Sequence, residues 1–279
     1  MYIEQNPYIR NYSTIVALLI ARCYTGTVMT ATTEENLKSV SAIDSDMETM
    51  MEAGVHLGHA RSKRHPAMAP FVWGVRADIE IIDLVKTKEK LEVALAFIKE
   101  AAAAKKLFLI VGTRPSAKNA VRKIGEETGS PYVNQRWIGG TLTNFKVIRK
   151  RIENLEAMEQ ERATGGFDKY MKKERLDKDK EMSRLEQNFG SLRRLQKLPE
   201  VMIVVDISQD DLALREARRM SIPVVALTDT NTDPRSVAYA IPSNDDARSA
   251  IEYMLERIKS VILEGHAQAG GISEAGGVN

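Results

Sequence analysis

The sequence of 279 residues contains a single cysteine, Cys23. One cysteine cannot form a disulfide within the chain, and such scarcity is typical of proteins from a reducing compartment. A long apolar run is missing as well, because Ile15–Ala21 is far shorter than the roughly 20 residues that cross a bilayer. Arg22 interrupts the small-residue pattern of a cleavable signal peptide. We therefore expect a cytoplasmic protein with no membrane partner.

The common motifs of nucleotide-binding and hydrolytic enzymes are also absent. The sequence has no Gly-x-Gly-x-x-Gly after an apolar run, no Gly-Lys-Ser/Thr of the Walker type and no Gly-x-Ser-x-Gly elbow. Gly112–Pro115 stands between a predicted strand and a predicted helix, where a phosphate could bind, but further glycines are missing. These absences argue against catalysis, a small-molecule substrate and an organic cofactor.

Short, wholly apolar runs alternate with amphipathic stretches along most of the chain. Such runs are typical of strands buried on both faces of a parallel sheet. The predicted strands are Leu107–Val111, Val201–Val205 and Pro223–Leu227, and the predicted helices include Thr87–Ala104, capped by Thr87, and Gln209–Met220, capped by Ser208. The alternation predicts an α/β fold, a Rossmann-like doubly wound parallel sheet.

A different pattern separates the two halves of this sheet. Apolar residues recur every three or four positions from Leu142 to Met158, and the pattern returns from Met182 to Leu195 after a break at Gly165. We expect an antiparallel coiled-coil helical hairpin, inserted at about residues 142–198. Residues 47–265 would form the domain that carries it, residues 1–46 an N-terminal extension that is partly disordered, and residues 266–279 a disordered tail.

Positive charge is concentrated in the middle of the chain. Residues 105–151 hold eleven Lys or Arg against two Asp or Glu, whereas residues 199–264 hold seven against twelve. This asymmetry favours a surface for a polyanion, because Arg and Lys bind backbone phosphates. A set of basic and polar side chains in loops and at helix starts is predicted to contact RNA: His59, Arg61, Lys63, Arg64, Arg114, Lys118, Arg136, Thr141, Asn144, Arg149, Lys150 and Arg151.

The stretch NQRWIGGTLTN, residues 134–144, lies between a predicted strand and the first hairpin helix. Two glycines ahead of a helix bring backbone N–H groups close to an anion, either a small nucleotide or the backbone of a nucleic acid. Trp137 could stack on a base, but a tryptophan beside Ile138 is more often part of a core.

Asp206 and Asp229 each follow a predicted strand, so both are expected at the carboxyl edge of the sheet. Ligands of doubly wound folds bind at that edge, and two carboxylates could hold a divalent ion there. Capping of helices and turns is the alternative role. His56, His59 and His65 lack the spacing of a zinc site and are interpreted as phosphate-contacting groups.

Four spaced blocks resemble the family of the second protein of the bacterial small ribosomal subunit. They are Glu52–His59, Asn134–Asn144, Leu198–Asp206 and Ala226–Pro234, and the resemblance extends over about residues 47–265. It implies a non-catalytic structural constituent of the small (30S) subunit that binds 16S ribosomal RNA and supports translation. Neighbouring small-subunit proteins, including the large multi-OB-domain protein, are implied partners. On this reading, the anion beside the two glycines is a ribosomal phosphate.

Two other classes of function remain compatible with the residues alone. One is a sugar-phosphate or nucleotide enzyme on the same fold, which would use Asp206 or Asp229, since a fold does not determine a function. The other is a protein–protein adaptor that works through the hairpin.

Overall fold

The computed structural model of the protein describes residues 45–274. The chain divides into a unit of residues 1–46 and a unit of residues 47–279, and the second contains every strand described below. The predicted N-terminal extension lies outside the described residues, except for its last two positions, which belong to a helical segment of residues 45–52.

Five parallel strands form the central sheet, in the order β5-β4-β6-β7-β8. A smaller antiparallel sheet precedes it in the chain, with the order β1-β3-β2. The strands are β1 (Leu57–Ala60), β2 (Val72–Arg76), β3 (Ile79–Ile82), β4 (Phe108–Val111), β5 (Tyr132–Val133), β6 (Val201–Val204), β7 (Val224–Thr228) and β8 (Tyr239–Pro242). The parallel sheet confirms the predicted fold class.

Helices cover both faces of the central sheet, which explains why β4, β6 and β7 are buried at every position. The helices are α1 (Leu84–Ala103), α2 (Lys118–Thr128), α3 (Phe145–Ala163), α4 (Lys172–Phe189), α5 (Asp211–Arg219) and α6 (Arg248–Glu274). One apolar core joins the sheet to α1, α2 and α6. The other joins its opposite face to α3, α4 and α5.

Helix α1 begins earlier than the sequence pattern indicates. The side chain of Asp83 accepts a hydrogen bond from the backbone N–H of Val85 at 3.1 Å, so Asp83 is the N-cap. Thr87, the predicted cap, is buried within the helix, and its hydroxyl donates to the carbonyl of Pro242 at 2.7 Å. Similarly, Ser208 does not cap α5, which begins at Asp211.

Two helices occupy the region in which the hairpin was predicted. Helices α3 and α4 are joined by a 3-10 turn at Gly166–Lys169, and Gly165 before it has a φ of 74°, in the left-handed region. Leu155 of α3 and Leu185 of α4 belong to the same core. These helices pack together as expected, and their supercoiling as a coiled coil stays a prediction.

Two stretches differ from the expectation. Strand β1 was not among the predicted strands, and it pairs with β3. Helix α6 runs on to Glu274, so the prediction of a disordered tail from residue 266 is wrong for residues 266–274. At Gly265 this helix lies against α1 so closely that an added Cβ would be 2.5 Å from Cβ of Ala102. Within residues 45–274 no helix has the length and apolarity needed to cross a membrane.

Candidate functional site

The loop between β5 and α3 is built around an anion, as predicted, but the anion belongs to the protein. Gly140, with a φ of 93°, turns the chain so that its N–H donates to Oε1 of Glu216 at 2.8 Å. The indole Nε1–H of Trp137 donates to the same oxygen at 3.1 Å. Oε2 of Glu216 accepts from the N–H of Leu142 at 3.0 Å and from the N–H and hydroxyl of Thr143 at 3.1 and 3.2 Å.

These donors explain how the carboxylate of Glu216 remains ionised although it is 5% exposed. Burial by itself raises the pKa of a carboxyl group, but the backbone hydrogen bonds and the indole outweigh it and lower the pKa of Glu216. The prediction of a ribosomal phosphate beside the two glycines is therefore corrected, because Glu216 already uses the N–H groups of that loop. Trp137 is 7% exposed, which confirms its position in the core.

The same loop removes Thr141 from the set of predicted RNA contacts. Its side chain is 1% exposed, and its hydroxyl donates to the carbonyl of Ile138 at 2.6 Å. Arg136 and Asn144, by contrast, are exposed on the two sides of the buried part of the loop. Lys118 donates to the side chain of Gln135 at 2.9 Å, and this contact brings the start of α2 next to Arg136.

A second group of predicted residues lies in the loop after β1. Arg61, Lys63 and Arg64 are all exposed. Arg64 also forms an ion pair at 3.3 Å with Glu80 of β3, which is fully buried. Burial raises the pKa of Glu80, so Arg64 supplies the charge that favours the ionised carboxylate.

Five of the predicted cations are exposed and have no salt bridge to any residue in the described range 45–274. We call them the open cations: Arg61, Lys63, Arg136, Lys150 and Arg151. Arg149 differs, because it pairs with Glu153 one helical turn along α3 at 3.3 Å. The open cations are the side chains whose charge remains available to a phosphate group.

Arg114 does not belong to the open cations. Its guanidinium contacts Asp206 at 2.6 Å and Asp245 at 3.6 Å, and it also pairs with Asp246. In this structure Arg114 neutralises carboxylates of its own chain, and its contact with RNA phosphate stays a prediction.

These contacts fill the crevice where the strand order reverses, between β4 and β6. In doubly wound sheets this crevice is the usual place for a ligand. Here Thr113, which follows β4, donates its N–H and its hydroxyl to Asp210 at 3.1 and 2.8 Å. Arg114 and Asp206 occupy the neighbouring position. The crevice is thus closed by side chains and does not favour the alternative of a nucleotide enzyme.

Farther along the same edge, four side chains could hold a metal ion. One atom from each of His59, Asp229, Asp245 and Asp246 lies within 4.8 Å of the others. Asp229 was a predicted ligand and belongs to this group. Asp206 does not, because its Oδ1 caps the N–H groups of Ser208 and Gln209 and its Oδ2 faces Arg114.

His59 was predicted to face RNA, but it faces these carboxylates instead. A hydrogen bond to Asp229 raises the pKa of His59, against the opposite effect of burial. Burial and the neighbouring charges of Asp206 and Asp229 raise the pKa of Asp245 to about 8. Asp245 and Asp246 were not predicted, because neither directly follows an apolar run.

The family model and the individual relatives that match this chain all belong to one family of ribosomal proteins. A family described as Ribosomal protein S2 matches residues 50–265. The chain is 41% identical over 231 residues to the small ribosomal subunit protein uS2 of Coprothermobacter proteolyticus, which covers 83% of this chain and 86% of that protein. The uS2 protein of Flavobacterium johnsoniae is 39% identical over 229 residues, covering 82% and 90%. That of Helicobacter hepaticus is 40% identical over 222 residues, covering 80% and 84%.

Proposed function

Because the chain belongs to the ribosomal protein S2 family, we propose that it is a structural constituent of the small ribosomal subunit that binds 16S ribosomal RNA through phosphate contacts. Family membership confirms the resemblance seen in the four sequence blocks. It also confirms that the chain is not an enzyme, since the family is a structural one. The protein would act in translation, bound to ribosomes in the cytoplasm.

The observation that carries the RNA-binding part of the proposal is the set of open cations. A cation that already pairs with a carboxylate must give up that partner to bind a phosphate, whereas Arg61, Lys63 and Arg136 need not. Lys150 and Arg151 extend the set along the start of the hairpin. Phosphate contacts fix the position of a protein on RNA without reading bases, so recognition would depend on the shape of the RNA.

The hairpin supports a second part of the proposal, contact with neighbouring small-subunit proteins. Met171 and Leu176 are 78% and 52% exposed near its turn. Exposed apolar side chains within a charged surface favour a protein partner over RNA. The large multi-OB-domain protein of the small subunit is the partner we propose for this part of the chain.

The proposal is tested by sedimentation of the native protein from cells in sucrose gradients. We expect co-migration with small subunits at moderate salt and partial release at high salt, because phosphate contacts weaken as salt rises. A protein that stays in the free pool at both salt concentrations would contradict the proposal.

A double variant tests the open cations directly. Arg61→Ala with Lys63→Ala should weaken binding to the subunit and reduce the slope of log K against log salt by about 2, or about 1 per lost cation. The matched control is Arg122→Ala with Lys123→Ala, which removes the same charge from residues that already pair with Glu126 and Glu256. Equal salt slopes in the two double variants would remove the loop after β1 from the RNA interface.

A further inference from the structure

The four side chains at the edge of the sheet come from three separate parts of the chain. His59 belongs to β1, Asp229 follows β7, and Asp245 and Asp246 follow β8. The backbone N–H of His59 donates to the hydroxyl of Thr230 at 2.9 Å, which holds β1 against this edge. Gly58 makes the approach possible, because an added Cβ there would be 2.6 Å from Cγ2 of Thr230.

Asp245 is the observation that points to a ligand. Its side chain is fully buried, and neither of its oxygens has a hydrogen-bond donor. The nearest cation among the described residues, Arg114, is 3.6 Å from Oδ1 and also serves Asp206. A buried carboxylate without donors is costly, and proteins normally satisfy one by pairing it or by placing it on a metal ion.

His59 shows the same shortage of positive charge. Its Nδ1 lies 2.9 Å from Oδ2 of Asp229, and its Nε2 lies 3.2 Å from Oδ2 of Asp246. A protonated imidazole donates to both carboxylates, whereas a neutral imidazole carries one N–H and directs the lone pair of its other nitrogen at a carboxylate. A cation between these groups would turn that repulsion into coordination, while the other nitrogen remains hydrogen-bonded to a carboxylate, as is usual for metal-bound histidines.

We propose that the protein binds a divalent transition-metal ion, of which Zn²⁺ is the representative, through His59, Asp229, Asp245 and Asp246. One imidazole nitrogen with carboxylate oxygens suits Zn²⁺ better than Mg²⁺, which prefers oxygen ligands alone. The ion ties β1 to the carboxyl edge of the central sheet, and Arg114 remains the partner of Asp206. This site is a property of the free chain and does not depend on the ribosomal assignment.

The test uses the purified full-length protein after removal of metals with a chelator. Zn²⁺, Mn²⁺ and Mg²⁺ are each titrated by calorimetry, and thermal unfolding is followed at the same concentrations. We expect Zn²⁺ to bind and to raise the unfolding midpoint by about 5 °C or more at a hundredfold excess over Kd. An unchanged midpoint with all three ions overturns the proposal, and an equal effect of Mg²⁺ and Zn²⁺ overturns the role of the imidazole.

Variants separate metal binding from a structural role. His59→Gln and Asp245→Asn should each weaken Zn²⁺ binding at least tenfold, as expected for loss of a ligand. Asp245→Asn also replaces a buried acid that has no donors with a neutral amide, so its metal-free midpoint should equal or exceed that of the wild type while its Zn²⁺-dependent rise is lost. His266→Gln, a histidine outside the cluster, is the matched control and should keep the full rise. A full rise in His59→Gln or Asp245→Asn would refute the site.

Discussion

Glu216 and Asp245 are both buried carboxylates, with exposures of 5% and 0%, yet their surroundings are opposite. Glu216 accepts hydrogen bonds from Trp137 and from the loop after β5, and its pKa is lowered. Asp245 has no donor on either oxygen, and its pKa is raised to about 8. Hydrogen-bond donors, more than depth of burial, thus decide whether a buried carboxylate closes a structure or leaves a place for a cation.

The two regions also differ in how much of their negative charge is compensated by donors and cations. The loop around Glu216 fixes the junction between the sheet and the hairpin. Both oxygens of this carboxylate accept hydrogen bonds there. The edge around Asp245 joins three distant segments and leaves negative charge in excess. The first region holds the start of the hairpin in place, and the second provides the proposed metal site.

Removing the carboxylate of Glu216, the acceptor in the first region, is expected to have the largest effect on the free energy of unfolding. Glu216→Ala leaves the N–H groups of Gly140 and Leu142 and the indole N–H of Trp137 without their partner in a buried place. Stranded donors cost about 1–3 kcal/mol each, and we expect the free energy of unfolding to fall by about 3–5 kcal/mol in total. Urea unfolding measures it. Glu126→Ala, which removes an exposed helical ion pair, is the control and should cost under about 1 kcal/mol.

A change in pH should act on the same carboxylate with a defined sign. The pKa of Glu216 is lowered from 4.5 in the folded state. Such a group contributes stability that is complete above the pKa of the unfolded chain and is lost as the pH falls through the folded pKa. The free energy of unfolding of the wild type should therefore fall more steeply below pH 4.5 than that of Glu216→Gln. Parallel curves for the two proteins, measured by urea unfolding at several pH values, would contradict this.

In the second region, β1 lies close to Thr230 and Asp229 at Gly58. A substitution there is expected to have a smaller effect on stability. Gly58→Ala places a Cβ 2.6 Å from Thr230 and 3.2 Å from Oδ1 of Asp229. Overpacking of this kind costs about 1–3 kcal/mol, and it should also weaken Zn²⁺ binding by moving His59. Gly74→Ala is the matched control, because nothing lies within 4 Å of its added Cβ. Equal thermal stability of the two variants would show that β1 can shift without cost.

Much of the fold follows from the sequence, because buried parallel strands must be apolar at every position. The stretches Leu107–Val111 and Val201–Val205 were predicted on that ground, and each differs from its strand, β4 or β6, by one residue at one end. Strand β1 was missed because its four residues include Gly58 and His59, and it forms only by pairing with β3. Such pairing is set by tertiary contacts and leaves no local period to detect.

The sites were harder to predict than the fold. The contact of His59 with Asp229 joins positions far apart in the sequence, so no spacing reveals it. Glu216 did leave a signal, since Ala213 and Ala217 place it beside the buried face of α5. A carboxylate at the edge of an apolar stripe indicates a buried hydrogen-bonding role. The pairing of Arg114 with Asp206 was not predicted, because the charge of an arginine does not show which anion it meets.

The smallest change in the free energy of unfolding is expected from removing a single hydrogen-bond donor of the first region. Trp137→Phe keeps an aromatic ring in the core but removes the N–H that donates to Oε1 of Glu216. That oxygen retains the N–H of Gly140, and the other retains Leu142 and Thr143. We therefore expect a loss of about 1–2 kcal/mol, well below that of Glu216→Ala. Trp73→Phe, at a ring that is 54% exposed, is the control and should change stability little. If Trp137→Phe lowered the free energy of unfolding as much as Glu216→Ala, packing of the ring and not donation to the carboxylate would dominate this junction. Hydrogen-bond donors would then not explain the difference between Glu216 and Asp245.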